Sequence, residues 1–154
     1  MLRKVMFGTL ATLTITTFAQ AQNSTDTAMK VTQMVAETWM NQYDKHDAKA
    51  QSMLFIPDGV FLPPDGSPVD KGRDAIERSW AWLFKNVGGH ETVTVRDAIP
   101  IGNDAIMAVN EYKIVGDGAN ADKVLNGRAA VVLAKTPDGW RYVSITPQAA
   151  PPPK

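Results

Sequence analysis

FIPDGVFLPPDGSPVDKGRDAIERSW, the stretch from Phe55 to Trp80, decides the fold. Phe55-Ile56-Pro57-Asp58-Gly59 ends one segment in a turn, and Val60-Phe61-Leu62 reads as a short apolar strand. Pro63-Pro64 and the Asp65-Gly66 turn stop it. Lys71-Gly72-Arg73-Asp74 then leads into a helix. Ile76, Trp80, Leu83, Phe84 and Val87 recur at helical spacing and form a core-facing stripe. Asp74, with Glu77 three residues on, resembles a capping box, and Gly88-Gly89 closes the helix. Trp82 lies off the stripe, which puts it at the surface or against a second subunit. A short strand pinned between helices, ahead of a large sheet, argues one α+β domain with a helix layer on a curved sheet.

Upstream, Val31, Met34, Val35, Thr38 and Trp39 share one face of a helix expected from Ala28 to about Tyr43. Gln22 to Thr27 is polar and is expected as a flexible start. Asp44-Lys45-His46-Asp47 breaks the helix, with Asp47 as N-cap of a short helix from Ala48 to Leu54. Downstream of Gly89 the apolar period changes to two. His90–Ile101 is a strand with Val93, Val95, Ile99 and Ile101 on one face. Ala105–Val115, Val124–Lys135 and Trp140 to about Thr146 are three more, joined at Gly102-Asn103, Gly116-Asp117-Gly118 and Thr136-Pro137-Asp138-Gly139. The four form an antiparallel meander. Gln148 to Lys154, rich in proline, reads as a disordered tail.

Arg3-Lys4, the moderately apolar run Val5–Phe18 and Ala19-Gln20-Ala21 have the layout of a secretory signal peptide, with cleavage expected after Ala21. The run is too short to span a bilayer, which takes about 20 residues. The chain therefore divides into a leader (1–21), a folded domain (22–147) and the tail (148–154). A periplasmic or secreted location, free of the membrane after cleavage, is expected. Lys and Arg number 16 against 16 Asp and Glu, so losing Arg3 and Lys4 leaves a slight acidic excess. That argues against nucleic acid as a partner. With no cysteine, there is neither a disulfide framework nor thiol chemistry.

The order of elements carries a resemblance. With Asp47…Asp58-Gly59-Val60-Phe61…Gly66…Gly72-Arg73-Asp74-Ala75-Ile76 and Asp138-Gly139-Trp140-Arg141, the chain resembles the nuclear-transport-factor-2-like superfamily. Within it, the chain is most similar to the SnoaL-like group, including small bacterial proteins of the SgcJ/EcaC type. The resemblance implies a cone, a cystatin-like curved antiparallel sheet wrapped over N-terminal helices, with a pocket inside and a homodimer formed through the sheet. Some members are isomerases, dehydratases, epoxide hydrolases or polyketide cyclases working without an organic cofactor. Aligned on the Asp47…Asp58 spacing, the catalytic tyrosine of ketosteroid isomerase falls on Trp39 and its general-base aspartate on Pro63. Neither residue can do that proton transfer. The histidine pair of scytalone dehydratase would need a second pocket histidine beside His90, since His46 reads as a surface-loop residue.

Asp65, Asp70 and Asp74 cluster in turns and at a helix start, where Asp serves the backbone. Two distant histidines offer no metal-ligand spacing, so no metal is expected. Strand parity is more informative. Asn110 and Tyr112 share a face with Ile106, Ala108 and Ile114; Arg128 lies among Val124, Ala130 and Val132; Tyr142 goes with Trp140 and Ser144. Asn110, Tyr112, Arg128 and Tyr142 are therefore expected to orient a ligand in the cone. Trp39, Tyr43, Phe61 and Trp80 would form its wall, with His90 at the mouth. No acid–base pair emerges. The reading favours an exported module binding a small apolar or cyclic molecule, with an isomerase-, dehydratase- or cyclase-type enzyme as the alternative.

Overall fold

The computed structural model describes residues 13–150, with side chains from Ser24 onward. The expected leader falls largely outside the described residues. No described helix is long and apolar enough to cross a membrane. Helix α1 runs from Leu13 to Tyr43, so Gln22 to Thr27, expected as a flexible start, is helical. Ala28, Val35, Trp39 and Tyr43 form its buried stripe, with Thr32, whose hydroxyl donates to the Ala28 carbonyl one turn back. Asp47 caps α2 (Ala48–Ser52) by accepting from the Ala50 amide at 2.9 Å, as its spacing predicts.

Strand β1 spans Phe55–Phe61, longer than the expected 60–62, and pairs with a two-residue strand β2, Asp70–Lys71. Helix α3 covers Arg73–Asn86 and buries Ile76 and Trp80. The expected capping box is absent. The N-cap is Gly72 at φ 81°, and no side chain caps the helix. The helix opens two residues before the box requires, which places Asp74 and Glu77 inside its first turns. Arg73 turns back to donate to the Phe55 carbonyl from Nε at 2.9 Å and Nη2 at 2.6 Å. Asp70 accepts from Ser79. These two contacts, rather than a cap, tie α3 to β1 and β2.

The meander follows as β3 (His90–Ile101), β4 (Ala105–Val115), β5 (Val124–Thr136) and β6 (Gly139–Ala149). The six strands form one sheet in the order β2-β1-β6-β5-β4-β3. All neighbours are antiparallel except β1 and β6, so the sheet is mixed rather than purely antiparallel. Gln148 and Ala149, expected in the disordered tail, pair with Arg128 and Gly127. The Ala150 amide still donates to the Asn126 carbonyl. The tail residues beyond, 151–154, lie outside the described residues.

A bulge shapes β3. Val95 pairs with Asn110 but Asp97 with Val109, leaving Arg96 as the extra residue. The break swaps faces, because side chains alternate along a strand. Glu91, Val93 and Val95 face the helices before it; after it Ala98 is buried, and Ile99 and Ile101 are about half exposed. The expectation that Val93, Val95, Ile99 and Ile101 share a face is therefore wrong for the last two. The concave side is filled by Trp39, Tyr43, Phe55, Trp80, Leu133 and Tyr142. The convex side carries the exposed Ile99, Met107, Val109 and the Arg96–Glu111–Arg128 cluster.

Candidate functional site

The concave face is an aromatic interior. Trp39 stands edge-on to Trp80 at 5.0 Å and to Tyr142 at 5.2 Å between ring centroids. Phe61 tilts against Trp80 at 5.6 Å, and Phe55 against Tyr142 at 5.5 Å. Such offset and edge-to-face pairs are the favoured aromatic geometries. Four of the residues expected as pocket wall or ligand contacts (Trp39, Phe61, Trp80 and Tyr142) thus form one cluster. Tyr43 joins it through Trp80 and donates its hydroxyl to the Gly88 carbonyl at 3.2 Å. Burial pushes the Tyr43 and Tyr142 phenols up, and the Glu91 charge adds to both shifts.

Into this interior β3 sends one carboxylate. Glu91 Oε2 accepts from Trp39 Nε1 at 2.7 Å. The residue keeps part of its surface exposed, but its carboxyl end is drawn inward against the indole. Burial lifts its pKa to about 7; the Trp39 hydrogen bond opposes that lift and repulsion from Asp44 adds to it. The described ion pairs join Asp44 to His90 and Glu111 to Arg96 and Arg128; Glu91 belongs to none of them. The sequence reading passed over Glu91. Its signal was parity: a charge in step with Val93 and Val95 on an otherwise apolar face.

Glu91 is held there by the turn that precedes it. Gly88 and Gly89 have φ of 64° and 82°, in the left-handed region that glycine tolerates. A Cβ on Gly89 would stand 1.9 Å from the Val115 carbonyl. His46 Nε2 lies 2.9 Å from the Gly89 carbonyl, and its ring stacks on Phe84 at 5.2 Å. His46 is thus a structural residue bracing this turn rather than a free loop side chain. His90 points outward, where its Nδ1 lies 3.0 Å from Asp44 Oδ1 and its side chain is largely exposed. It precedes Glu91 in β3 and lies outside the aromatic cluster.

Asn110 is 4 % exposed and faces the interior, and its Oδ1 has no hydrogen-bond partner among the described residues. Trp80 Nε1 and both polar atoms of Gln51 share that condition. Tyr112 is half-buried and pairs with Val93, one diagonal step from Glu91; desolvation raises its pKa and the Glu91 charge adds to the rise. Its hydroxyl passes over Gly127, where an added Cβ would meet it at 2.9 Å and the Gln148 carbonyl at 2.0 Å. Arg128 is a correction. Cross-strand partners share a face, and β5 pairs Ala129 with Asn110 and Arg128 with Glu111. Ala129, Val131 and Leu133 therefore face inward, while Arg128 is 73 % exposed on the convex side.

Two open clefts flank this interior. One, of about 520 Å³, lies at the rim of β4, β5 and β6, where Tyr112, Gly127, Arg128 and Gln148 meet. The other, of about 250 Å³, runs between α1 and β3 beside Glu37, Met40 and Val93. Trp39, Phe61 and Trp80 line neither.

Residues 33–146 match the SnoaL-like domain family, and the chain belongs to it. No curated protein matches the chain. Among solved structures it is similar to a ketosteroid isomerase-like protein from Erwinia carotovora atroseptica, at 17 % identity and a TM-score of 0.69, over 80 % of this chain and 97 % of that one. It is also similar to a nuclear-transport-factor-2-like protein with a cystatin-like fold from Novosphingobium aromaticivorans, at 18 % identity and a TM-score of 0.63, over 93 % and 94 %. A domain of unknown function with a cystatin-like fold from Nostoc punctiforme aligns at 12 % identity with a TM-score of 0.69, over 81 % and 78 %. At these identities the likeness is one of fold, and the SnoaL-like cone is the fold they share.

Proposed function

We propose that this SnoaL-like chain is exported and binds a small, largely apolar or cyclic molecule at the Glu91 end of its cone. One observation carries the reading: the Glu91 carboxylate lies inside an aromatic interior, on Trp39 Nε1. Aromatic rings supply apolar contact area and a single polar group fixes orientation, which is the usual composition of a small-molecule site. Tyr112 supports a route to solvent, since it lines the larger cleft and lies one diagonal step from Glu91 across the β3–β4 ladder. Asn110 Oδ1 offers a second acceptor further along the same strand face. Thermal melts against a panel of small aromatic and alicyclic molecules test this. A ligand should raise Tm for the native chain and far less for Tyr112→Ala. A panel without any stabilising member, repeated by calorimetry, would refute a ligand site here.

The same carboxylate favours a second reading, an isomerase-, dehydratase- or cyclase-type enzyme. A Glu with a pKa of about 7 is poised to take and return a proton near neutral pH. Turnover that follows a single ionisation near pH 7 and is lost in Glu91→Gln would select it over pure binding. Export rests on Arg3-Lys4, the Val5–Phe18 run and Ala19-Gln20-Ala21; the purified mature protein should begin at Gln22. A homodimer through the convex face rests on Ile99, Met107 and Val109, each at least 37 % exposed. Light scattering at micromolar concentration should return twice the chain mass.

A further inference from the structure

We infer that the ligand of the Glu91 site is an apolar amine, bound as its ammonium ion, and that the site rejects carboxylates of the same shape. The inference rests on the ligand-binding reading above and specifies the chemistry of what is bound.

Its basis is the sign of everything that faces the site. From β3 comes Glu91 itself; from the loop after α1 comes Asp44, whose charge already repels it. From β4 comes Tyr112, from β6 Tyr142 and from α1 Tyr43, all neutral phenols held above their ordinary pKa. Asp117 adds a further negative charge near Tyr43. The neighbouring histidine, His90, is turned out to Asp44. The arginines of this end of the sheet, Arg96 and Arg128, are engaged by Glu111 on the opposite face. Among the described residues, no cation is therefore paired with Glu91.

A buried carboxylate without a cation is a costly arrangement. A ligand ammonium would supply the missing charge. Its N–H groups would donate to the Glu91 oxygens, one of which already accepts from Trp39 Nε1. Asn110 Oδ1, 4 % exposed and without a donor, is a further acceptor on the same face. Among the described residues the unpartnered buried donors open to an anion are Trp80 Nε1 and Gln51 Nε2, both neutral. To reach either, the anion would have to share a low-dielectric interior with Glu91, which costs several times what it would in water.

The test uses three probes of one shape on the full folded protein: naphthylmethylamine, naphthylmethanol and naphthoate, titrated calorimetrically at about pH 8, where Glu91 is mostly ionised. Affinity should fall in the order amine, alcohol, carboxylate, with the amine roughly ten- to a hundred-fold above the alcohol, the range of one charge-assisted contact. Amine binding should weaken from pH 8 to pH 6 as Glu91 takes up its proton, with proton release visible as a buffer-dependent heat. Glu91→Gln keeps an acceptor for Trp39 and should bring amine and alcohol to equal affinity. Alcohol binding without an amine preference, or an amine preference that survives Glu91→Gln, overturns this inference and spares the binding reading. Failure of all three probes to bind overturns both.

Discussion

Two glutamates on adjacent strands show how differently the two faces of this sheet treat one side chain. Glu111, on the convex face, takes Arg96 at 2.5 Å and Arg128 at 3.4 Å, and the Arg96 hydrogen bond leads in holding its pKa below the ordinary carboxylate value. Glu91, on the concave face, has an indole N–H and a second carboxylate for company, and burial drives its pKa the other way. Glu111 can ionise at little cost because water and guanidinium share its charge. Glu91 is ionised near neutrality only against its surroundings, and such a group is where chemistry or recognition concentrates.

The comparison breaks most visibly in the core. Leu133 is fully buried on the concave side, whereas Met107 is 41 % exposed on the convex side. Leu133→Ala should lower unfolding free energy by about 2–5 kcal/mol in urea titrations, and Met107→Ala by much less. Equal losses would reverse the assignment of faces.

Next in size is the pH dependence. The folded Glu91 pKa of about 7 lies above its ordinary value of 4.5. The folded state then holds more protons than the unfolded one between these values, so stability falls as pH rises through that window. Its contribution is complete below about pH 4.5 and gone above about pH 7. Glu91→Gln should therefore melt close to the native chain at pH 4.5 and above it at pH 8, by on the order of 1 kcal/mol after allowing for partial solvation. Parallel melting curves across the whole range would show that Glu91 titrates as it does in water.

Trp39→Phe should be subtler. It removes the one hydrogen bond that favours the ionised form, so the Glu91 titration followed by carbon-13 NMR should move above 7. A downward move would mean that water replaces the indole. Smallest is Glu111→Gln. Its partners are exposed and screened, so Tm should barely change and the residual difference should vanish at high salt.

Much of this architecture was legible, and the unread parts share a cause. The stripe Ile76–Val87, the Asp47 cap and the change of period after Gly89 are local patterns that single elements impose on their own residues. Asn110 was placed inward by the alternation of β4 alone. Arg128 was misplaced because both parities of β5 look apolar, and only the pairing of Glu111 with Arg128 decides between them. Ile99 and Ile101 were misplaced because nothing in the residues around Arg96 announces a bulge. The capping box failed because the Arg73 contact with the Phe55 carbonyl, eighteen positions away, sets where α3 begins. Glu91 was overlooked as an ordinary strand charge, since its meaning depends on Trp39 arriving from a helix 52 positions earlier.

The extra residue in β3 also matters for anyone lining this chain up with its relatives. Arg96 is a change of reading frame for faces. A relative one residue shorter there, with no bulge, would keep its counterparts of Glu91 and Ala98 both facing inward, because Asp97 and Ala98 already follow Val95 in the ladder once Arg96 is taken out. A gap at position 96 therefore marks the loss of the bulge and leaves the acid aimed at the indole, whereas a relative that keeps the extra residue as plain strand would turn one side of position 96 over.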